Sequence, residues 1–177
     1  MTNLRKYIRR YRFGGELIDI ERFRRPFPNL KIRRYSCEDI DRCSHIYRLN
    51  EEGRFPEGVL GHFQEALGQQ EALYIVAELE GEVIGVGGIR IYDFSDEIQT
   101  ACLSFGLIDP AFHGRGYGTA LLAFRLSLLD ASRPEWTVAM TSAGNGTEIF
   151  FKKLGFRAPP ETCCGNGAQR KFPLARR

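Results

Sequence analysis

The chain has 177 residues, a formal net charge of +3, 43% hydrophobic residues and 27% charged residues. This length and balance suit one soluble domain with a full core, and exclude a disordered chain. No apolar run reaches the roughly 20 residues that a bilayer-spanning helix needs, and the charged N-terminus lacks the apolar stretch of a secretory signal. The five cysteines and three histidines show no zinc-ligand spacing. We therefore expect a reduced, cytoplasmic protein without a metal.

Residues 1–29 are predicted to form a basic N-terminal arm and linker. The segment holds eight lysines and arginines against three acidic residues. Four apolar residues recur at the spacing of one helical face: Leu4, Tyr7, Ile8 and Tyr11. This pattern predicts an amphipathic helix, and Pro26 to Asn29 then indicates a linker. Such a helix could bind nucleic acid, a membrane or an acidic partner, but we favour packing of its stripe on the domain or on a second subunit.

Residues 30–177 are predicted to form the second unit, in which helices and strands alternate. The predicted elements are strand 31–35, a helix capped by Ser36, helix 59–67, strands 72–79, 83–92 and 98–108, helix 119–130, strand 136–141, helix 147–154 and one or two weak strands within 156–174. The strand at 98–108 is apolar on both faces, which indicates a central strand covered on both sides.

A glycine-rich run from Asp109 to Thr119 follows that central strand and leads into a helix. Such a turn gathers free backbone N–H groups at the positive end of a helix dipole and lets a ligand approach closely, which favours phosphate binding. The glycines fall at 114, 116 and 118. No lysine follows the last glycine, so the Walker loop is excluded, and the spacing also excludes the dinucleotide pattern G-x-G-x-x-G.

The run Pro110 followed by His113-Gly114-Arg115-Gly116-Tyr117-Gly118 resembles the pyrophosphate loop of the GNAT family of N-acetyltransferases. That family reads Gln/Arg-x-x-Gly-x-Gly/Ala, so His113 is a departure. A second segment, Ile149 to Phe156, resembles the family's helix-ending Phe-Tyr-Glu-Lys-Leu-Gly-Phe, with Gly155 as the residue that stops the helix. Together the two motifs extend the resemblance over about residues 30–174.

The resemblance implies the α+β GNAT acyl-CoA N-acyltransferase fold, with a mixed central sheet flanked by helices. It implies acetyl-CoA or another acyl-CoA as co-substrate, and pantetheine that pairs with backbone freed where two strands separate at a bulge. The cofactor-binding residues that it implies are Leu107, Ile108, His113, Gly114, Arg115, Gly116, Tyr117, Gly118, Thr119, Asn145 and Phe151. We expect His113 to position the loop rather than to carry protons.

The central strand carries no carboxylate that could serve as the base for the acceptor amine. An alkyl amine with a pKa of about 10.4 must lose a proton before it attacks. The strand positions that can carry a carboxylate in relatives fall near Cys102 and Ser104. The acidic candidates elsewhere are Glu51, Glu52, Asp93 and Glu97. Of these, Glu52, in the polar stretch after the first helix, is the predicted base.

The thiol-protonating Tyr of the family falls at Phe151, which cannot donate a proton. Three alternatives stay open. The thiolate leaves unaided, another group such as Ser142, Tyr117 or a water protonates it, or the protein binds acyl-CoA without turnover. Of the named donors, Ser142 is the predicted catalytic residue.

Three functions follow from these observations. The first is direct transfer of an acetyl group to a primary amine of a small molecule or peptide. The second is a non-catalytic acyl-CoA-binding or sensory module, which Phe151 favours. The third is acetylation of a nucleic-acid-bound amine such as aminoacyl-tRNA, which the basic arm suggests but which we regard as the weaker partner assignment. A homodimer is a further expectation, and no motif identifies the acceptor.

Overall fold

One mixed sheet of six strands is the centre of the computed structural model, which describes residues 8–13, 27–51, 55, 58–70, 72–94, 98–132, 136–142, 147–153 and 156. The strands are β1 (Ile8–Phe13), β2 (Leu30–Arg34), β3 (Ala72–Leu79), β4 (Glu82–Phe94), β5 (Ile98–Ile108) and β6 (Trp136–Ser142). The helices are α1 (Ile40–Glu51), α2 (Val59–Leu67), α3 (Tyr117–Ser132) and α4 (Thr147–Lys153).

The strand order is β1-β6-β5-β4-β3-β2. Among the described strands, β5 and β6 run parallel and the other neighbours pair antiparallel. The predicted α+β fold with a mixed sheet is therefore confirmed, and β5 is an interior strand as its two apolar faces predict. The predicted bounds of β3, β5 and α2 are confirmed, whereas most other ends move by one or two residues. The weak strands predicted after Phe156 lie outside the described residues.

The prediction of an N-terminal helix is wrong for the part of that segment that the structure describes. Ile8–Phe13 is strand β1, and it pairs antiparallel with β6 from Ile8↔Ser142 to Phe13↔Thr137. The strand satisfies the outer main-chain edge of β6, and its β-branched and aromatic residues suit a pleated strand. This tertiary pairing outweighs a helical period that depended on Leu4 and Tyr7, which lie outside the described residues. The domain boundary at residue 29 stays a prediction.

The core lies on both faces of the sheet. On one face, α1 and α2 cover a cluster that includes Cys43, Ile46, Tyr47, Phe63 and Val86. On the other face, α3 and α4 cover two adjoining clusters, whose members include Ile84, Ile89, Leu103, Leu121, Leu122, Leu126 and Phe151. Residues at successive positions of β3 alternate between these faces, as the two-residue period of a strand requires.

An ion-pair cluster fixes β2 to the start of α1. Arg33 donates to both carboxylate oxygens of Asp39 at 2.8 Å and to Glu78 Oε2 at 2.7 Å. The backbone N–H of Ser36 also donates to Asp39, at 2.8 Å, which places Ser36 at the predicted helix cap. The hydrogen bonds from Arg33 lower the pKa of the Asp39 carboxyl.

We expect Asp39→Asn to lower the free energy of unfolding by about 1–3 kcal/mol at pH 7, because charge-assisted hydrogen bonds have this magnitude. The folded-state pKa of Asp39 lies below its unfolded value, so its contribution is complete above the unfolded value and lost as pH falls through the folded value. Urea unfolding of the wild-type protein and Asp39→Asn should therefore give free energies of unfolding whose difference disappears below about pH 4. Glu65→Gln, at an exposed site on α2, is the control, and a gap independent of pH would contradict the assignment.

Candidate active site

A bulge in β5 sets the geometry of the site. The pairing of β5 with β4 passes from Ser104↔Gly88 to Leu107↔Val86, so that two residues of β5, Phe105 and Gly106, stand opposite Gly87. Phe105 has a φ of 43°, an unusual backbone conformation for a residue other than glycine. We call Phe105 and Gly106 the β5 bulge.

The β5 bulge reverses the faces of the strand. Leu103 packs against the α3 side of the sheet with Leu122, whereas Leu107 packs against the α1 side with Tyr47. Residues an even number of positions apart share a face in a regular strand, so the inserted residue accounts for the change. The bulge thus directs Phe105 toward the α1 and α2 face.

Strands β5 and β6 separate just before the bulge. Their parallel pairing runs from Thr100↔Trp136 to Leu103↔Ala139, and within the described part of the chain β6 offers β5 no further partner. The separation at a bulge implied by the sequence resemblance is therefore present. Residues Ser104–Ile108, the freed edge, present main-chain groups to which an extended molecule can add like a further strand.

The glycine loop, His113–Thr119, follows the freed edge. Gly114 and Gly116 have φ values of 73° and 93°, the left-handed region that glycine adopts without strain. Helix α3 begins at Tyr117, and Ala120 makes its first backbone hydrogen bond, to Gly116 O at 3.0 Å. The N–H groups of the first turn consequently have no intrahelical acceptor and point toward the loop, where the helix dipole favours an anion.

One carbonyl joins the loop to the strand. Ile108 O lies 2.7 Å from His113 Nε2, which donates to it, and 3.0 Å from Asn50 Nδ2, which also donates. Asn50 is buried and donates to Ile46 O of its own helix as well. Helix α1, the end of β5 and the glycine loop are therefore held at a single point.

Asp109, the residue after Ile108, is also held in place by hydrogen bonds. It accepts from the N–H of Ala111 at 2.9 Å and from Arg42 Nη2 at 2.8 Å, while its own N–H donates to Ile84 O at 2.8 Å. Arg42 reaches it from α1 and also donates to Val83 O. Sequence reasoning missed Arg42 and Asn50, although polar residues inside an amphipathic helix are a signal for such contacts.

The aromatic residues around the loop restrain its side chains. The Arg115 guanidinium carbon lies 5.6 Å from the centre of the Phe112 ring. The Tyr117 ring contacts Phe27 and Phe112, with centroid distances of 4.9 and 6.1 Å. The Arg115 side chain is exposed, so its charge lies at the solvent-facing surface of the loop.

Of the other residues predicted for the site, the structure describes Phe151 and Ser142, which belong to α4 and β6. Phe151 is 7% exposed and packs against Phe150 and Phe156 in the core on the α3 side. Ser142 is the last residue of β6. Glu52 and Asn145 lie outside the described residues.

An aromatic group borders the bulge on the α1 and α2 face. Its members are Tyr47, Phe55, His62, Phe63 and Phe105. Beside it, the Tyr74 hydroxyl lies 3.3 Å from Ser104 Oγ, and burial raises the pKa of Tyr74. Within the described ranges, no three His, Cys, Asp or Glu side chains cluster as metal ligands. None of the helices that the structure describes is long and apolar enough to cross a membrane.

A family model described as the acetyltransferase (GNAT) domain matches residues 70–158, from β3 through the glycine loop and α4. The chain belongs to the GNAT acetyltransferase family. Its domain is accordingly of the GNAT N-acetyltransferase type, and acetyl-CoA is the acetyl donor of this family.

Solved structures show the same GNAT fold at low sequence identity. A conserved protein of unknown function from Staphylococcus epidermidis has a TM-score of 0.63 and 13% identity over 88% of this chain, which spans 61% of that protein. A predicted acetyltransferase with acetyl-CoA, from Clostridium acetobutylicum, has a TM-score of 0.60 and 19% identity over 75% of this chain and 92% of its own. An aminoglycoside acetyltransferase in complex with sisomicin, from an uncultured soil metagenomic sample, has a TM-score of 0.55 and 18% identity over 83% of this chain and 97% of its own. No curated protein gives a significant match.

We expect His113→Ala to weaken acetyl-CoA binding about fivefold, because the substitution removes one hydrogen bond of about 1 kcal/mol between this GNAT loop and β5. His113→Gln, which restores the residue type of the family, should bind more tightly than His113→Ala. Calorimetric titration gives the dissociation constants, with His45→Ala at an exposed site on α1 as the control. An unchanged constant in His113→Ala would show that the loop does not depend on this contact.

Proposed function

We propose that this protein transfers the acetyl group of acetyl-CoA directly to a primary amine of a small molecule or peptide. The observation that carries the proposal is the continuity of two binding elements in one stretch of chain. The freed edge ends at Ile108, and the glycine loop begins at His113, with Ile108 O hydrogen-bonded to His113. A long cofactor with an extended arm and a pyrophosphate fits this order of elements.

The described residues offer the groups that such a cofactor needs. The N–H groups of Gly114, Gly116 and the first turn of α3 suit the pyrophosphate, and a Cβ at Gly114 would meet no atom within 4 Å, so the approach to this residue is open. The main chain of the freed edge suits the pantetheine arm, apart from Ile108 O, which already accepts from His113 and Asn50. When bound, acetyl-CoA supplies an acetyl group activated as a thioester.

Two proton movements remain for the protein. The acceptor must lose a proton, and we retain Glu52 for this role as a proposal from the sequence. For the departing thiol, Ser142, Tyr117 and water stay candidates, and the structure adds the Tyr74 hydroxyl beside the bulge. The Tyr74 hydroxyl carries a proton at neutral pH, and because burial raises its pKa it is a weaker acid than an exposed tyrosine.

A non-catalytic acyl-CoA-binding module is the second candidate. Phe151, at the family's Tyr position, has no proton to donate, and its ring is buried between Phe150 and Phe156. The nucleic-acid alternative depends on the positive charge of the N-terminal arm, three of whose arginines lie in β1, and it stays a prediction. A cytoplasmic location and a homodimer stay predictions.

We expect wild-type protein to bind acetyl-CoA with micromolar affinity and Gly116→Asp to bind at least about 30-fold more weakly. The substitution puts a side chain at a left-handed position and a negative charge beside the phosphates. Calorimetric titration measures both. Gly81→Asp is the matched control, because Gly81 has a φ of 88° but lies in the β3–β4 turn. Absence of binding by the wild-type protein, or equal loss in both variants, would contradict the proposal.

Release of free CoA with a panel of primary amines separates the two candidate functions. Amine-dependent release that is lost in Gly116→Asp supports acetyl transfer. Binding without release, over amines that include aminoglycosides, amino acids and peptides with a free N-terminus, supports the binding module.

A further inference from the structure

A buried arginine lies beneath the β5 bulge. Arg125 of α3 is 3% exposed, and its neighbours Leu122 and Leu126 belong to the apolar core. Its Nη2 atom donates to Ser104 O at 3.0 Å and also to Gly88 O. Ser104 and Gly88 are the last pair of the β4–β5 ladder before the bulge interrupts it. The guanidinium therefore bonds the two strands where their own pairing stops.

Two glycines make room for this side chain. A Cβ on Gly87 would lie 2.9 Å from Arg125 Cδ, and a Cβ on Gly106 would lie 2.8 Å from Arg125 Nη1. Neither glycine has a positive φ. Glycine is therefore required at both positions because a larger residue would collide with the Arg125 side chain.

The guanidinium has no carboxylate partner among the described residues. Burial lowers the pKa of Arg125 to about 10, so it is still charged at neutral pH. A buried charge without a counter-ion is costly, and its Nε also lacks a hydrogen-bond partner within the described part of the chain. An apolar residue would fill a helix–sheet interface at lower cost, so the arginine is expected to have a role other than stability.

We propose that Arg125 is a positioning residue for acetyl transfer, which holds the β5 bulge and so fixes how the freed edge aligns the thioester end of acetyl-CoA. This inference rests on the proposed function. The glycine loop is anchored separately, through Ile108 O and Asp109. Loss of Arg125 should consequently disturb the bulge and the chemical step while the pyrophosphate end still binds.

The first test is amide hydrogen exchange on the ligand-free protein. We expect Arg125→Met to speed exchange at least about tenfold in residues 86–89 and 103–108, because two carbonyls lose a charged donor. Leu126→Ala is the control, since Leu126 belongs to the core cluster of Ile89 and Leu103, and its loss loosens that core while the guanidinium bonds to Ser104 O and Gly88 O stay in place. Exchange in Arg125→Met that is no faster at the bulge than in Leu126→Ala would overturn the proposal.

The second test separates binding from turnover. With an amine that the wild-type protein accepts, Arg125→Met should lower kcat at least about tenfold and change the dissociation constant of acetyl-CoA less than about threefold. Arg125→Lys keeps the charge and one donor nitrogen in place of three, so it should recover part of kcat. It also serves as the test variant if Arg125→Met does not fold. Equal kcat in Arg125→Met and wild type, or parallel losses in binding and kcat, would overturn the proposal. A wild-type protein that binds no acetyl-CoA would refute the proposed function, while the exchange test would still decide whether Arg125 holds the bulge.

Discussion

The interruption of main-chain pairing at Phe105 and Gly106 is the constraint on which the site depends. One inserted residue in β5 ends the ladder with β4 locally and turns Leu107 to the α1 and α2 face of the sheet. In the interior of a sheet there is little water to satisfy the groups that lose partners. Arg125 of α3 donates to the Ser104 and Gly88 carbonyls beside the bulge, and Gly87 and Gly106 leave the space that its side chain needs.

The bulge is useful because the glycine loop is tied to the same strand. Ile108 O accepts from both His113 and Asn50, and Asp109 is held by Arg42 of α1. The freed edge and the helix start therefore keep a fixed relation to each other. Such a relation lets one elongated molecule contact the main chain along β5 and the N–H groups of α3 at once, with little reorganisation on binding.

Most of the fold and part of the site could be predicted from the sequence. Turn signals and apolar runs define the ends of β3, β5 and α2 sharply, and the glycine spacing indicates the phosphate loop. The prediction of an N-terminal helix was wrong because the spacing of four apolar residues carries no information on pairing with β6, which is remote in sequence. Arg125 was missed for a similar reason. The signals for it were the strand glycines at 87 and 106 and one arginine in an apolar helix, but only the tertiary structure brings them together.

Backbone amide NMR of the protein titrated with acetyl-CoA tests the central claim most directly, because it reports on the freed edge and the glycine loop separately. The account predicts that the amide signals of residues 104–108 and 114–119 shift together with one dissociation constant, while β2 and α2 stay unchanged. Shifts confined to the loop, or centred on another face of the sheet, would contradict the claim that β5 and the start of α3 form one acetyl-CoA site.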